Sequence, residues 1–154
     1  MGLDQYLHAK KTASGGEYST EESKSVYQSI MALANIGDFA EQNFPDASIE
    51  VKVAYWRKEN AIHLWFVENC QGGEDECQTV FVVREKLEEL RDLCREVLAD
   101  KSKAGDLLPT TSGFFYGGTE YDEWYFSGLI FTADMIDKVL TLPDEWDFYY
   151  SSSW

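Results

Sequence analysis

Apolar residues recur at every second position in some parts of the chain and at every third or fourth position in others. The two-residue period predicts strands, because successive side chains of a strand point to opposite faces of a sheet. It is clearest in residues 49–56, and looser runs predict further strands at residues 3–11, 78–83 and 146–152. The predicted buried side of the clearest strand comprises Ile49, Val51, Val53 and Tyr55.

The longer period predicts amphipathic helices, in which one apolar stripe faces the core. Residues 84–99 show it best, and their polar positions mix acids with bases, which is typical of a solvated helix face. Ser19 and Glu22 form a capping box that starts another helix, and this helix is predicted to end near Gly37. The buried side of the helix at 84–99 comprises Leu87, Leu90, Leu93, Cys94, Val97 and Leu98.

The segment at residues 58–69 permits two structures. Its aromatic and β-branched residues would suit a strand that forms a hairpin with residues 49–56. Its length, and Ala61 within it, favour a helix instead. We predict the helix. Together the elements indicate an α+β fold, a single domain over residues 1–154 with about four strands in an antiparallel or mixed sheet and about four helices.

Composition narrows the class of protein further. Hydrophobic residues make up 44% of the 154 positions, which is enough for a packed core, and no apolar run is long enough to span a membrane. Three cysteines fit a reducing compartment. His63, Cys70 and Cys77 are evenly spaced, but no fourth soft ligand accompanies them, so we predict neither a metal site nor a cofactor.

The charge is strongly negative and unevenly distributed. The net value is −15, and residues 105–154 hold nine acidic side chains and one basic one. Such a balance argues against direct binding of nucleic acid and permits a partner protein with a basic surface. A helix capped by Thr119 is predicted over residues 120–140, with Tyr121, Tyr125, Leu129, Ile136 and Leu140 on its buried side. Its other side would carry an acidic stripe of four residues, namely Glu120, Glu123, Asp134 and Asp137.

A second polar cluster lies at the start of the ambiguous segment. Its members are Tyr55, Trp56, Arg57, Asn60 and His63. Cations, an amide and stacking rings together suit a nucleotide-like ligand. Two other interpretations remain open: His63 could act as a general base beside Glu59, or the two tryptophans of the segment could simply lie in the core.

Four separated strings carry a family resemblance: "MGLDQYL", "YWRKENAIHLWFV", "LLPTTSGFFYGGTEYDEWY" and "DFYYSSSW". They resemble a group of small tailed-bacteriophage proteins for which no activity is established, so no residue role is carried over. The resemblance implies a setting, the cytoplasm of the bacterial host. Small proteins in that setting often bind and disable host factors.

These observations lead to one main hypothesis and two alternatives. The main hypothesis is a non-enzymatic acidic protein that inhibits a host factor, such as an anti-phage defence complex or a nucleic-acid-handling complex, by occupying its basic groove with the acidic stripe. The first alternative is a sponge that binds a nucleotide-derived immune signal through Arg57, Asn60 and His63. The second is an enzyme that uses His63. The sequence leaves the oligomeric state open.

Overall fold

Four antiparallel strands form one sheet in the computed structural model, which describes residues 2–40 and 42–154. The sheet order is β2-β1-β4-β3, so β1 and β4 are central and β2 and β3 are the edges. The strands are β1 (Asp4–Ser14), β2 (Asp46–Arg57), β3 (Val80–Val82) and β4 (Asp147–Ser153). All four predicted strands are therefore confirmed, and the sheet is antiparallel.

Helices fill most of the connections between the strands. In the described ranges they are α1 (Glu21–Ala34), α2 (Asn60–Cys70), α3 (Arg84–Ala99), α4 (Ala104–Leu107) and α5 (Glu123–Val139). The predicted α+β class is confirmed, and the helical alternative for residues 58–69 is the one that forms, as α2. None of the described helices has the length and apolar character that a membrane crossing requires.

One hydrophobic core joins the sheet to three of the helices. Trp56, Phe66 and Tyr150 are among its largest fully buried side chains, and they come from β2, α2 and β4. The rings of Phe66 and Tyr150 stack with centroids 3.9 Å apart. Helix α3 contributes Leu87 and Leu90, and α5 packs against α3. The sheet, α2, α3 and α5 therefore share one buried volume.

A β-bulge changes the alternation of β2. The pairing with β1 shifts between Leu7, which lies opposite Ala54, and His8, which lies opposite Lys52, so Val53 is an extra residue. An extra residue reverses which side chains face the core. The prediction that Tyr55 is buried was therefore wrong, because Ala54 and Trp56 face the core instead.

Both predicted helix caps lie a few residues from the true ones. The side chain of Thr20, rather than Ser19, accepts the N–H of Ser23 at the start of α1. Asp122, rather than Thr119, caps α5 and accepts the N–H groups of its first turn. A single carboxylate oxygen, Oδ1 of Asp122, accepts both N–H groups, from Trp124 at 3.0 Å and from Tyr125 at 3.1 Å.

Candidate functional site

The sharp turn from β2 into α2 places the polar side chains of this region. Lys58 has a left-handed backbone, with φ of 60°, and its N–H donates to Leu3 O at 2.8 Å. The side chain of Gln5 holds the next residue from both sides, because it donates to Glu59 O (3.1 Å) and accepts from Glu59 N–H (3.2 Å). A buried strand residue therefore fixes the start of α2.

His63 lies one turn into α2, in a closed hydrogen-bond network. Its Nε2–H donates to Asp75 Oδ2 at 2.8 Å, and its Nδ1 accepts from the hydroxyl of Tyr150 at 2.8 Å. The Tyr116 ring packs edge-on against the imidazole with centroids 5.2 Å apart. His63 is 1% exposed. Both ring nitrogens are thus occupied within the protein.

Asp75 is the centre of this network. Its Oδ2 also accepts from Tyr116 O–H (3.0 Å) and from Trp154 Nε1–H (2.7 Å), and its Oδ1 accepts from Cys77 N–H (3.3 Å). The Asp75 carboxylate therefore links four segments by hydrogen bonds: α2, the loop after it, the turn before α5 and the chain after β4. Sequence reasoning missed Asp75.

The pKa values in the network follow from burial and these hydrogen bonds. Burial lowers the pKa of His63, and this effect outweighs the opposing effect of Asp75, so the imidazole stays neutral. Burial alone would raise the pKa of Asp75, but the bonds from His63 and Tyr116 outweigh it and hold this pKa below its usual value. The arrangement is a buried histidine, favoured in its neutral form, beside a partly exposed carboxylate.

The side-chain amide of Asn60 is also hydrogen-bonded within the fold. Its Nδ2 donates to Tyr116 O (3.1 Å) and Gly118 O (2.8 Å), while its Oδ1 accepts from Thr111 N–H (3.0 Å). The residue is buried. Its amide thus holds the glycine-rich turn before α5, and its hydrogen bonds are directed within the protein.

The structure disperses the predicted ligand cluster. Trp56 is in the core, where its Nε1–H donates to Thr132 Oγ1 at 2.9 Å. Tyr55 and Arg57 contact Asp4 instead: the tyrosine hydroxyl donates to it, and the guanidinium lies 3.7 Å from it. Ligand binding by this cluster stays a prediction.

A cleft of about 310 Å³ lies beside this cluster, between the turn into α2 and the start of α5. Arg57, Lys58 and Asn60 line one part of it, and Glu120 and Trp124 line another. The cleft therefore brings residues from both predicted clusters to one place. Its lining contains charges of both signs beside an indole.

Glu59 also lines this cleft, and its carboxyl group has an unusual environment. Burial, together with the charge of Asp122, raises its pKa to about 7. No donor in the described ranges hydrogen-bonds to its carboxylate. The carboxylate lies against Gly128 of α5, where a Cβ would overlap it. Glu59 is thus a desolvated carboxyl group between two helices.

The predicted acidic stripe is only partly formed. Glu123 and Asp134 are exposed on the outer face of α5. Asp137 forms ion pairs with Arg91, at 3.5 Å, and with Arg95, so its charge is largely neutralised. Glu120 precedes the helix and lines the cleft. The stripe is therefore shorter than the sequence indicated.

Exposed aromatic and aliphatic side chains also lie on this face. Trp124, Ile130 and Phe131 are 83%, 51% and 43% exposed. At about 100° per residue, Trp124 and Phe131 lie within about 20° of each other and Ile130 lies about 120° from Trp124, with Glu123 and Asp134 between them. We name these five residues the α5 outer face. The sequence held a signal for it, because α5 is apolar on more than one side.

Comparisons with known proteins do not assign the chain to a family. No protein-family model matches it, and no significant match was found among curated proteins or solved structures. In the part of the chain that the structure describes, no group of three or more His, Cys, Asp and Glu side chains is placed to hold a metal ion. Function is therefore inferred from the chemistry of the surfaces described above.

Proposed function

We propose that this protein is a non-enzymatic inhibitor that binds a host protein through the α5 outer face. The partner would present an apolar pocket within a basic groove. The resemblance to bacteriophage proteins suggests a bacterial host, and a nucleic-acid-handling or anti-phage defence complex would carry such a groove. Occupying it would exclude the nucleic acid that the groove normally binds.

The exposure of Trp124 carries this proposal. Its indole is 83% exposed, so a partner that covers it removes a large apolar surface from water. Tryptophan is also enriched among the residues that dominate binding energy. Ile130 and Phe131 extend the apolar area along the same helix. Aromatic residues are enriched at protein interfaces relative to the rest of the surface.

The charges around this centre define the partner's chemistry. Glu123 and Asp134 lie among the apolar residues of this face, and Lys138 is the one basic residue of α5. A net charge of −15 adds a long-range field of the same sign. Electrostatic complementarity of this kind chiefly accelerates association and selects partners. A groove rich in Lys and Arg fits both the local and the global charge.

The closed network around His63 supports a role without catalysis. A general base must reach the proton that it removes. Both ring nitrogens of His63 are already hydrogen-bonded to Asp75 and Tyr150, and the ring is buried. Its contacts suit a structural role that fastens the loops around α2.

A pull-down from bacterial lysate tests the proposal. Three tagged chains are compared: the natural sequence, the double reversal Glu123→Lys/Asp134→Lys, and Trp124→Ala. A matched control reverses two exposed acids on other helices, Glu68→Lys/Glu88→Lys. We expect one captured protein to be lost with both α5 variants and retained with the control. Equal capture by all four chains would refute the α5 outer face as the contact.

Nucleotide binding is the second candidate function, and the cleft beside Lys58 is the observation that favours it. Arg57 and Lys58 line this cleft together with Trp124, which offers a ring for stacking. Glu120 and Asp122 line it as well and would repel phosphate. Thermal unfolding with cyclic dinucleotides and ADP-ribose-type nucleotides tests this candidate, because a bound ligand raises the melting temperature. Unchanged melting with every nucleotide would exclude it.

A further inference from the structure

The edge strand β2 offers a surface unrelated to the α5 outer face. It is the longest strand, with 12 residues, and within the described ranges β1 is the one strand that pairs with it. The other edge of such a strand presents free N–H and C=O groups, which form a template for another strand. An antiparallel strand from a second chain could extend the sheet at this position.

The side chains near this edge are poorly covered. Ile49 and Val51 are 41% and 46% exposed. They pair with core-facing positions of β1, so their side chains lie on the same face of the sheet as the core. Helix α1 packs on β1 and β2, yet none of its residues is buried. An amphipathic helix normally buries its apolar stripe. The edge of the sheet formed by α1 and β2, here called the margin, therefore leaves apolar side chains exposed to solvent.

We propose that a second copy of this chain supplies that cover, with β2 pairing antiparallel to β2 of the partner copy about a two-fold axis at Val51. The two sheets would then join into one of eight strands. Because the axis is perpendicular to the sheet, both copies keep their helices on the same side. Each α1 and each pair of Ile49 and Val51 would meet the corresponding margin of the other copy.

The charges of β2 select this register. Glu50 and Lys52 are exposed and lie on the same face of the sheet, on either side of Val51. An axis at Val51 places each Glu50 opposite Lys52 of the other copy, so two ion pairs form. An axis at Glu50 or at Lys52 would instead place like charges directly opposite each other, which is unfavourable. A surface that is complementary to itself at one register is what a symmetric dimer requires.

The pairing also agrees with the side chains on the other face. Val51 would meet Val51 and Ile49 would meet Val53 of the partner copy, and β-branched side chains are favourable cross-strand neighbours. The register is regular from Ile49 to Val53, and the bulge at Val53 limits it, because the side chains of β2 change faces beyond that residue. The proposal therefore uses the backbone edge, the apolar margin and the charged pair together.

Light scattering coupled to gel filtration tests the proposal, with the full chain at near-physiological ionic strength and micromolar to submillimolar concentration. We expect the natural chain to show twice the 17.6 kDa of one copy. Glu50→Lys and Lys52→Glu should each weaken association by roughly tenfold or more, because like charges then face each other twice. Lys138→Glu makes the same change of charge on the exposed side of α5, outside β1 and β2, and serves as the control that stays dimeric.

Mixing the two single variants gives the sharper result. In the mixture, Glu50→Lys in one copy and Lys52→Glu in the other restore opposite charges at both contacts, so a heterodimer should form. The double variant Glu50→Lys/Lys52→Glu should also dimerise. Circular dichroism checks that each variant is folded. A monomeric natural chain would overturn the proposal and would mean that the bulge and Lys52 protect the edge. A dimer that neither single variant weakens would overturn it as well.

Discussion

Replacing Glu59 with Gln should remove a pH-dependent loss of stability. The carboxyl group of Glu59 has a pKa of about 7 in the folded chain, against an ordinary value of 4.5. Because the folded state holds this proton more tightly, its stabilising contribution is complete below about pH 4.5. That contribution is lost as the pH rises through about 7, when a desolvated charge must form beside Gly128 and Asp122.

The size of the effect follows from the difference between the two pKa values. The gap between 4.5 and about 7 corresponds to about 3.4 kcal/mol at ~1.36 kcal/mol per pKa unit. Glu59 is only half-buried, and partial solvation weakens such effects. We therefore expect the free energy of unfolding to fall by roughly 1–2 kcal/mol from this group as the pH rises from about 5 to about 8. Glu59→Gln has no such ionisation and should lose none of this energy.

Urea unfolding at both pH values measures this directly. The quantity to compare is the free energy of unfolding of Glu59→Gln minus that of the natural chain, because other titrating groups cancel in the difference. It should increase by roughly 1–2 kcal/mol between acidic and alkaline pH. Glu68→Gln alters an exposed acid on the same helix, α2, and as the matched control should change the free energy of unfolding by less than about 0.5 kcal/mol. If the natural chain and Glu59→Gln showed the same pH dependence, the desolvation of Glu59 would be disproved.

Three further substitutions test other contacts. Gly128→Ala should lower the free energy of unfolding by less than about 1 kcal/mol, because the overlapping Glu59 carboxylate is the end of a flexible side chain and alanine favours the helix, and shortening Glu59 to Ala in the same chain should remove that loss in urea unfolding. Asp75→Asn should cost about 1.5–3 kcal/mol at neutral pH, because charge-assisted hydrogen bonds from His63 and other donors weaken. The lowered pKa of Asp75 means that its contribution is present above its ordinary pKa of 3.8 and disappears as the pH falls through the folded value, so natural and variant chains should converge in acid. Trp124→Ala should change the free energy of unfolding by less than about 0.5 kcal/mol, because the indole is exposed, and a larger loss would place it in the folded core.

The elements that could be predicted were those with a sustained hydrophobic period. Helix α3 was predicted over residues 84–99, the range in which it forms, because its apolar stripe repeats over several turns. The phase of β2 could not be predicted beyond Val53, since the bulge there depends on pairing with β1. A local pattern contains no information about such a pairing.

The candidate site was harder to predict for the same reason. Asp75 gathers hydrogen bonds from His63, Tyr116 and Trp154, which are 12, 41 and 79 positions away in the chain. Contacts over such separations leave no periodic signal. The pairing of Asp137 with Arg91 and Arg95 joins α5 to α3, and it removed one member of the acidic stripe. Charge patterning located the acids but not their partners.

The affinity of the captured host protein is the decisive measurement for the α5 outer face, compared between the natural chain and Glu123→Lys/Asp134→Lys. We expect this double reversal to weaken binding at least about tenfold, mainly through slower association, and added salt to weaken the natural complex. Glu68→Lys/Glu88→Lys, with the same change in net charge, should bind nearly as well as the natural chain. Equal losses in the two double variants would show that net charge alone governs binding. That result would contradict the α5 outer face as the specific contact.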